Sequence, residues 1–181
     1  MKILTLLRHA KSGWNDPVER DFDRPLNRRG RKAAQTIGRE MRARHLDFDR
    51  VVASPAVRVV ETLDDVGDGY GRPICVDYDD RLYLASLATL LEVIRETNGT
   101  AERLLLVGHN PGLELLAMYL TSDDSNGLRG EVAIKYPTAT LAEISLPVRD
   151  WKHVRQGIGR LEALVRPRDL DPALGPDQEG H

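Results

Sequence analysis

Cysteine, aromatic residues, long apolar runs and an excess of either charge are all scarce in this chain of 181 residues. Each scarcity removes a class of protein. The one cysteine, Cys75, has no partner for an internal disulfide, so a disulfide-stapled secreted scaffold is excluded. No apolar run approaches the roughly 20 residues that cross a bilayer as a helix. The apolar stretch ahead of Arg8 and His9 is too short for the core of a signal peptide. A cytoplasmic protein with no membrane partner is the expectation. Lys and Arg number 26 against 28 Asp and Glu, so no global positive field draws in nucleic acid. Any anionic ligand has to be held by local cations. There is no Walker A motif, no His-Glu-x-x-His and no paired spacing among the five histidines, so neither metal nor cofactor is expected.

What is present suits a globular domain. Hydrophobic residues make up 41% of the chain, enough for a core over its length. Short apolar runs at 3–7, 50–53, 74–77 and 104–107 read as buried strands. Helical periodicity marks 28–44, with Asn27 as its cap, and a helix through Leu87, Leu90, Leu91 and Ile94. Ser54-Pro55 and Asn110-Pro111 each read as a cap followed by a first-turn proline; the first of these helices is expected to end near Asp65 and a glycine-rich turn to follow at 68–73. Residues 121–130 read as a loop, and 140–146 and 160–166 as late strands. The pattern predicts an α/β fold, a three-layer α/β/α sandwich with a mostly parallel central sheet, over residues 1–166. From Pro167 to His181 the chain is rich in Pro, Gly and charge, which predicts a flexible tail.

In parallel sheets, ligands collect beyond the carboxyl ends of the strands. Three of the predicted strands end in polar groups of one kind: Arg8-His9, then Ser54-Pro55 leading to Arg58, then Gly108-His109. Brought to one edge, two arginines and two imidazoles suit a phosphate dianion. Guanidinium forks match phosphate oxygens, a neutral imidazole is a competent nucleophile near pH 7, and a protonated one can steady charge in the transition state. Each signal is ordinary alone, since a histidine at a strand end is more often structural and a Ser-Pro or Asn-Pro before a helix is usually a cap.

Four blocks in order resemble the histidine phosphatase superfamily, also called phosphoglycerate mutase-like. The family's Arg-His-Gly-x-Thr-x-x-Asn stands as Arg8-His9-Ala10-Lys11-Ser12-Gly13-Trp14-Asn15. A helix-start block stands as Leu26-Asn27-Arg28-Arg29-Gly30. Ser-Pro-x-x-Arg-x-x-x-Thr runs from Ser54 to Thr62, and Gly-His is Gly108-His109. The resemblance implies that His9 is the phosphorylated nucleophile, that Arg8 and Arg58 clamp phosphate, and that His109 is the pocket's second histidine. It also implies that Asn15 contacts phosphate and that Ser12 is a supporting hydroxyl.

Two positions depart from the pattern. Ala10 replaces a glycine, a change that matters only if the backbone there has positive φ. Members acting on phosphate esters carry a proton-donating Glu or Asp in a Leu-x-Glu context, and here the nearest match is Leu82-Tyr83-Leu84. An alkoxide leaving group needs a general acid, whereas imidazole, with a conjugate acid of pKa about 6.5, does not. The missing acid, the small size and the Arg8-to-Ser12 and Arg24-to-Asn27 strings are similar to the small SixA-type phosphohistidine phosphatases. The implied substrate is a phosphorylated protein carrying phosphohistidine. The alternatives are a small phosphorylated molecule, cleaved by an ester phosphatase or mutase with Asp21 or Asp23 as proton donor, and a non-catalytic phosphate-binding module. Cys75 and Arg81 satisfy a Cys-x5-Arg spacing, but three intervening carboxylates speak against a phosphate cradle, and Cys75 reads as a small apolar strand residue.

Overall fold

The apolar run near the start of the chain becomes the central strand because both of its faces are covered. Leu4, Leu6 and Leu7 are fully buried, as are Leu104 to Val107 beside them. In the computed structural model, which describes residues 1–14, 17, 18, 20–123 and 125–175, strands form at Lys2–Arg8 (β1), Arg50–Ala53 (β2), Asp77–Tyr78 (β3), Arg103–Gly108 (β4), Thr121–Asp123 (β5), Leu141–Leu146 (β6) and Gly159–Val165 (β7). Helices form at Arg28–Ala43 (α1), Val57–Tyr70 (α2), Leu87–Arg95 (α3), Gly112–Leu120 (α4), Leu128–Ile134 (α5) and Pro167–Leu170 (α6). The sheet order is β3-β2-β4-β1-β6-β7-β5. β3, β2, β4 and β1 run parallel to one another, and β6 is antiparallel to both β1 and β7.

Alternation along the strands divides the core in two. Leu4, Leu6, Leu104 and Leu106 pack with α3, α4 and α5 on one face. Leu7, Leu105 and Val107 pack with α1 and α2 on the other. The expected α/β/α sandwich with a mostly parallel sheet is the fold observed. Among the described residues no helix is long and apolar enough to cross a membrane.

Several boundaries differ from the sequence reading. α2 runs beyond Asp65 to Tyr70 and stops at Gly71, whose φ of 96° is left-handed and readily adopted by glycine. β3 lies at Asp77–Tyr78, where it pairs with β2, rather than at 74–77. The expected loop at 121–130 contains β5 and the start of α5, since Thr121 pairs with Gly159 and the helix begins at Leu128. The N-cap positions are Ala56 and Pro111 rather than Ser54 and Asn110, while the Asn110 side chain accepts from the Glu114 N–H and the Ser54 hydroxyl from the Ala56 N–H, each at 3.3 Å.

The predicted flexible tail is corrected for its first nine residues. Pro167 is buried, and the Asp169 carboxylate accepts from the Arg166 backbone N–H at 3.0 Å. Leu170 and Leu174 pack onto the core beside α1. Composition underrated this segment because two leucines suffice to hold it once α1 supplies the surface. Residues 176–181 lie outside the described residues.

α1 also sets the height of the loop after β1. The Asn27 side chain accepts from the Gly30 N–H at 2.8 Å, and the Asn27 N–H donates to the Lys11 carbonyl at 3.1 Å. A Cβ on Gly30 would sit 2.1 Å from that same carbonyl oxygen. Gly30→Ala is therefore expected to cost about 2–3 kcal/mol in urea unfolding, in the range of overpacked cores. An unchanged midpoint would show that the loop yields without penalty.

Candidate active site

Because β2, β4 and β1 are parallel neighbours, the residues that follow them share one edge. Arg8 lies in register with Gly108, and Ala53 with Val107. That register places Arg8-His9, Ser54 and His109 together, and the first turn of α2 adds Arg58. All but Ser54 line a cavity of about 420 Å³, with Lys11, Ser12, Trp14, Asp21, Arg24 and Leu84 among the other lining residues.

The two imidazoles stand with ring centroids 5.3 Å apart. The His9 Nδ1 lies 2.7 Å from the Ala10 carbonyl oxygen. A carbonyl can only accept, so Nδ1 carries the proton and Nε2 keeps a lone pair. The Arg58 Nη2 lies 3.3 Å from the His109 Nδ1, and arginine can only donate. The His109 Nε2–H therefore donates to the Ser54 hydroxyl oxygen, 2.8 Å away. Ser54, read as a helix cap, is instead the group that fixes the second histidine's tautomer. Thr62 ties the two halves of the edge, accepting from the Ala10 N–H at 2.9 Å and donating to the Arg58 carbonyl at 2.6 Å. Ala10 is fully buried and has no positive φ, so its methyl replaces glycine without strain.

Burial, reinforced by the charges of His109, Arg58 and Arg8, holds His9 at a pKa of about 3 against the pull of the Ala10 carbonyl. Burial and then Arg58 hold His109 at about 4, although Asp21 acts the other way. Both rings are thus neutral at pH 7. The protonated second imidazole expected from the sequence is not the form that burial and Arg58 favour. The ring resonances of His9 and His109 are expected to stay those of neutral imidazole at pH 5 in NMR titration. Proton uptake by either ring near pH 6.5 would contradict this assignment.

The arginines are poised for an anion. Arg58 is 2% exposed, donating through Nη1 to the Asp21 carbonyl at 2.8 Å and through Nη2 to its carboxylate at 3.0 Å. Arg8 donates through Nη1 to the Tyr136 carbonyl at 2.9 Å. The Nε–H groups of both arginines are buried without a partner among the described residues. Buried donors of this kind are costly unless a ligand satisfies them.

The remaining candidates separate. Asp21 reaches the site, but not as an acid. Burial resists its ionisation, yet the Tyr83 hydroxyl at 2.6 Å together with Arg58 and Arg24 outweigh burial and hold the carboxyl at about 2. A group so acidic has no proton to donate at neutral pH. Asp23 bonds Arg20 at 2.8 Å and does not line the cavity, so its reading as a donor is corrected as well. Ser12 lines the wall, but its hydroxyl donates to the Pro25 carbonyl at 2.8 Å. Asn15 lies outside the described residues. The Cys-x5-Arg spacing is not assembled. Cys75 is exposed rather than a strand residue, and Arg81 is bound to Asp79 and Glu96.

Tyr83, Ser54, Thr62 and the Tyr136 carbonyl are the functional groups that sequence reasoning passed over. Ser54 and Thr62 were legible as the two ends of the Ser-Pro block, but the tyrosines carried no signal. With its carboxylate on Arg58, Asp21 competes with an incoming anion. Asp21→Asn is expected to tighten inorganic phosphate binding by about fivefold in calorimetry, as loss of a nearby like charge should. A hundredfold loss of phosphatase turnover in that variant would instead restore Asp21 as the proton donor.

Comparison with known proteins agrees with this geometry. The sequence profile of the histidine phosphatase superfamily (branch 1) matches residues 4–83. An uncharacterised protein of Mycobacterium tuberculosis is 33% identical over 165 residues, covering 90% of this chain and all of that protein. The SixA protein of Agrobacterium tumefaciens, described as a candidate phosphohistidine phosphatase, superposes with a TM-score of 0.74 at 30% identity, covering 92% of this chain and 98% of that one. Its counterpart from Nakamurella multipartitia gives 0.77 at 30% identity, covering 92% and 96%. The chain belongs to the histidine phosphatase superfamily, SixA-like in build, and membership implies a phosphatase of the hydrolase class.

Proposed function

We propose that this chain is a cytoplasmic phosphatase that removes phosphate from phosphohistidine in a protein, through a phosphohistidine intermediate on His9. One observation carries the choice of substrate. Among the described residues the cavity holds a single carboxylate, Asp21, and that group is ionised, while Leu84 stands where ester-cleaving members carry their acid. A site with no carboxylic acid to protonate the departing atom suits a leaving group that needs none.

In the first step the His9 Nε2 lone pair forms a bond to phosphorus as the substrate's P–N bond breaks. The bonding pair goes to the departing imidazole, which leaves neutral when its other nitrogen carries a proton. Arg8 and Arg58 hold the transferring oxygens, and their unpartnered Nε–H groups gain acceptors. Arrival of a dianion raises the proton affinity of His109, whose Nδ1 takes a proton from solvent and then donates a hydrogen bond to the phosphoryl group instead of accepting from Arg58. In the second step water forms a bond to phosphorus as the P–Nε2 bond of His9 breaks; the pair returns to Nε2, the water gives up a proton to the phosphate or to solvent, and inorganic phosphate leaves. Asn15 remains a further phosphate contact in this reading, while Ser12 acts only by anchoring the loop.

The test is a panel of a phosphohistidine protein, an aryl phosphate and 3-phosphoglycerate, each given to wild type and to His9→Ala. The phosphohistidine protein should be turned over fastest, and every activity should vanish in the variant. Faster release from 3-phosphoglycerate would replace this reading with an ester phosphatase.

A further inference from the structure

A second cavity, of about 480 Å³, opens beside the catalytic one. It lies between the N-terminal part of α1, the segment leading into β6, and α6. The two cavities share Arg8, Lys11 and Thr138 as walls, so they adjoin one another. The cations lining the second are Arg8, Lys11, Arg29, Lys135, Arg166 and Arg168, and among the described residues no carboxylate lines it. In a chain of net charge −2, that is a strongly one-sided concentration of positive charge. The Asp169 carboxylate offsets Arg166 from outside the lining, at 3.0 Å, but Lys135 is exposed and Arg168 partly so. Ala33 and Leu174 give the cavity apolar surface as well.

The surroundings favour a macromolecule over a small solute. Large apolar side chains stand exposed in the catalytic lining and, in the chain, beside the second cavity's Lys135. Trp14 is 78% exposed and Leu84 55% in the catalytic lining, and Ile134, next to Lys135, is 86% exposed. Leu84 is held there with a φ of 48°, a conformation that leucine seldom adopts. Exposed apolar groups beside a charged groove are the makings of a protein interface, with its apolar anchors and polar surround.

We infer that the basic cavity receives an acid-rich segment of the phosphoprotein, docked beside its phosphohistidine, so that the enzyme reads the charge of its partner as well as the phosphoryl group. The inference rests on the phosphohistidine reading above, and its test separates the two. Lys135 and Arg168 belong to this cavity and to no catalytic role, so Lys135→Glu/Arg168→Glu isolates it.

An oligoglutamate peptide is the probe, with binding measured by calorimetry at low salt. Wild type should bind it, and both the double variant and added salt should weaken binding by about tenfold or more, as for steering charges at an interface. Hydrolysis of an aryl phosphate should be unchanged in the variant, which also shows that it folds. With a phosphohistidine protein, KM should rise in the variant while kcat holds. Absence of peptide binding, or equal binding to the variant, overturns the inference. So does an equal loss of aryl phosphate hydrolysis, which would place these charges in the catalytic step. Tripolyphosphate binding far tighter than inorganic phosphate, without peptide binding, would make a small polyanion the occupant and overturn it too. If the peptide binds through these two residues but no phosphohistidine protein is turned over, docking stands and the substrate reading falls.

Discussion

Replacing His9 with alanine is expected to lower turnover by about four orders of magnitude or more, the scale set by loss of an enzyme nucleophile. The size of the effect follows from the tautomers. With Nδ1 donating to the Ala10 carbonyl, His9 offers Nε2, and its pKa of about 3 keeps that lone pair free across the neutral range. His109 is no substitute, because Arg58 occupies its Nδ1 and its Nε2 carries a proton bonded to Ser54. Rapid acid quench with labelled substrate is the direct measurement. Wild type should yield an acid-labile, base-stable phosphoprotein, and His9→Ala none. A labelled variant, or an acid-stable adduct on wild type, would move the nucleophile elsewhere and remove the basis for the proposed reaction.

How far such a site can be read from sequence depends on whether chain order carries the contact. The convergence of Arg8, His9, Arg58 and His109 was legible because each ends or follows a strand of four to seven residues, and parallel neighbours deliver their ends to one edge. The two apolar core faces were legible for the same reason, since period two along β1 and β4 dictates them. What pairing does to a side chain was not legible. Asp21 reads in sequence as an available acid, and only its contacts with Tyr83, 62 residues away, and Arg58 turn it into a fixed anion. Ser54 obeys local cap chemistry on paper, yet its hydroxyl serves a histidine 55 residues distant. The segment after Pro167 fails on composition and succeeds on packing, because α1 supplies a surface that no local window contains. The basic cavity was equally hidden. Its cations come from the β1 loop, α1, the end of α5 and α6, and they cancel in the net charge.

Arg58 is the residue through which these parts act, and Arg58→Ala is expected to lower kcat/KM by about a thousandfold, as loss of a preorganised donor to transition-state charge does. The truncation has three consequences, two of which lower activity. The phosphoryl group loses a buried fork. The Asp21 carboxylate loses its 3.0 Å partner and keeps only Arg24 and the Tyr83 hydroxyl to offset its charge beside an incoming dianion. His109 loses the neighbour that, after burial, does most to lower its pKa, so it moves towards protonation. Only that third change could help bind an anion, and a single imidazolium does not replace a bidentate guanidinium. Arg58→Lys should therefore recover little, because an ammonium cannot span Asp21 and a phosphate oxygen with fixed geometry. The informative experiment is the cycle with Asp21→Asn. If the stranded carboxylate is part of the damage, Asp21→Asn should restore about tenfold in the Arg58→Ala background, more than it gives wild type, and the two substitutions should couple. Strict additivity would mean that Asp21 does not face the bound phosphate, and that Arg58 acts as a clamp alone.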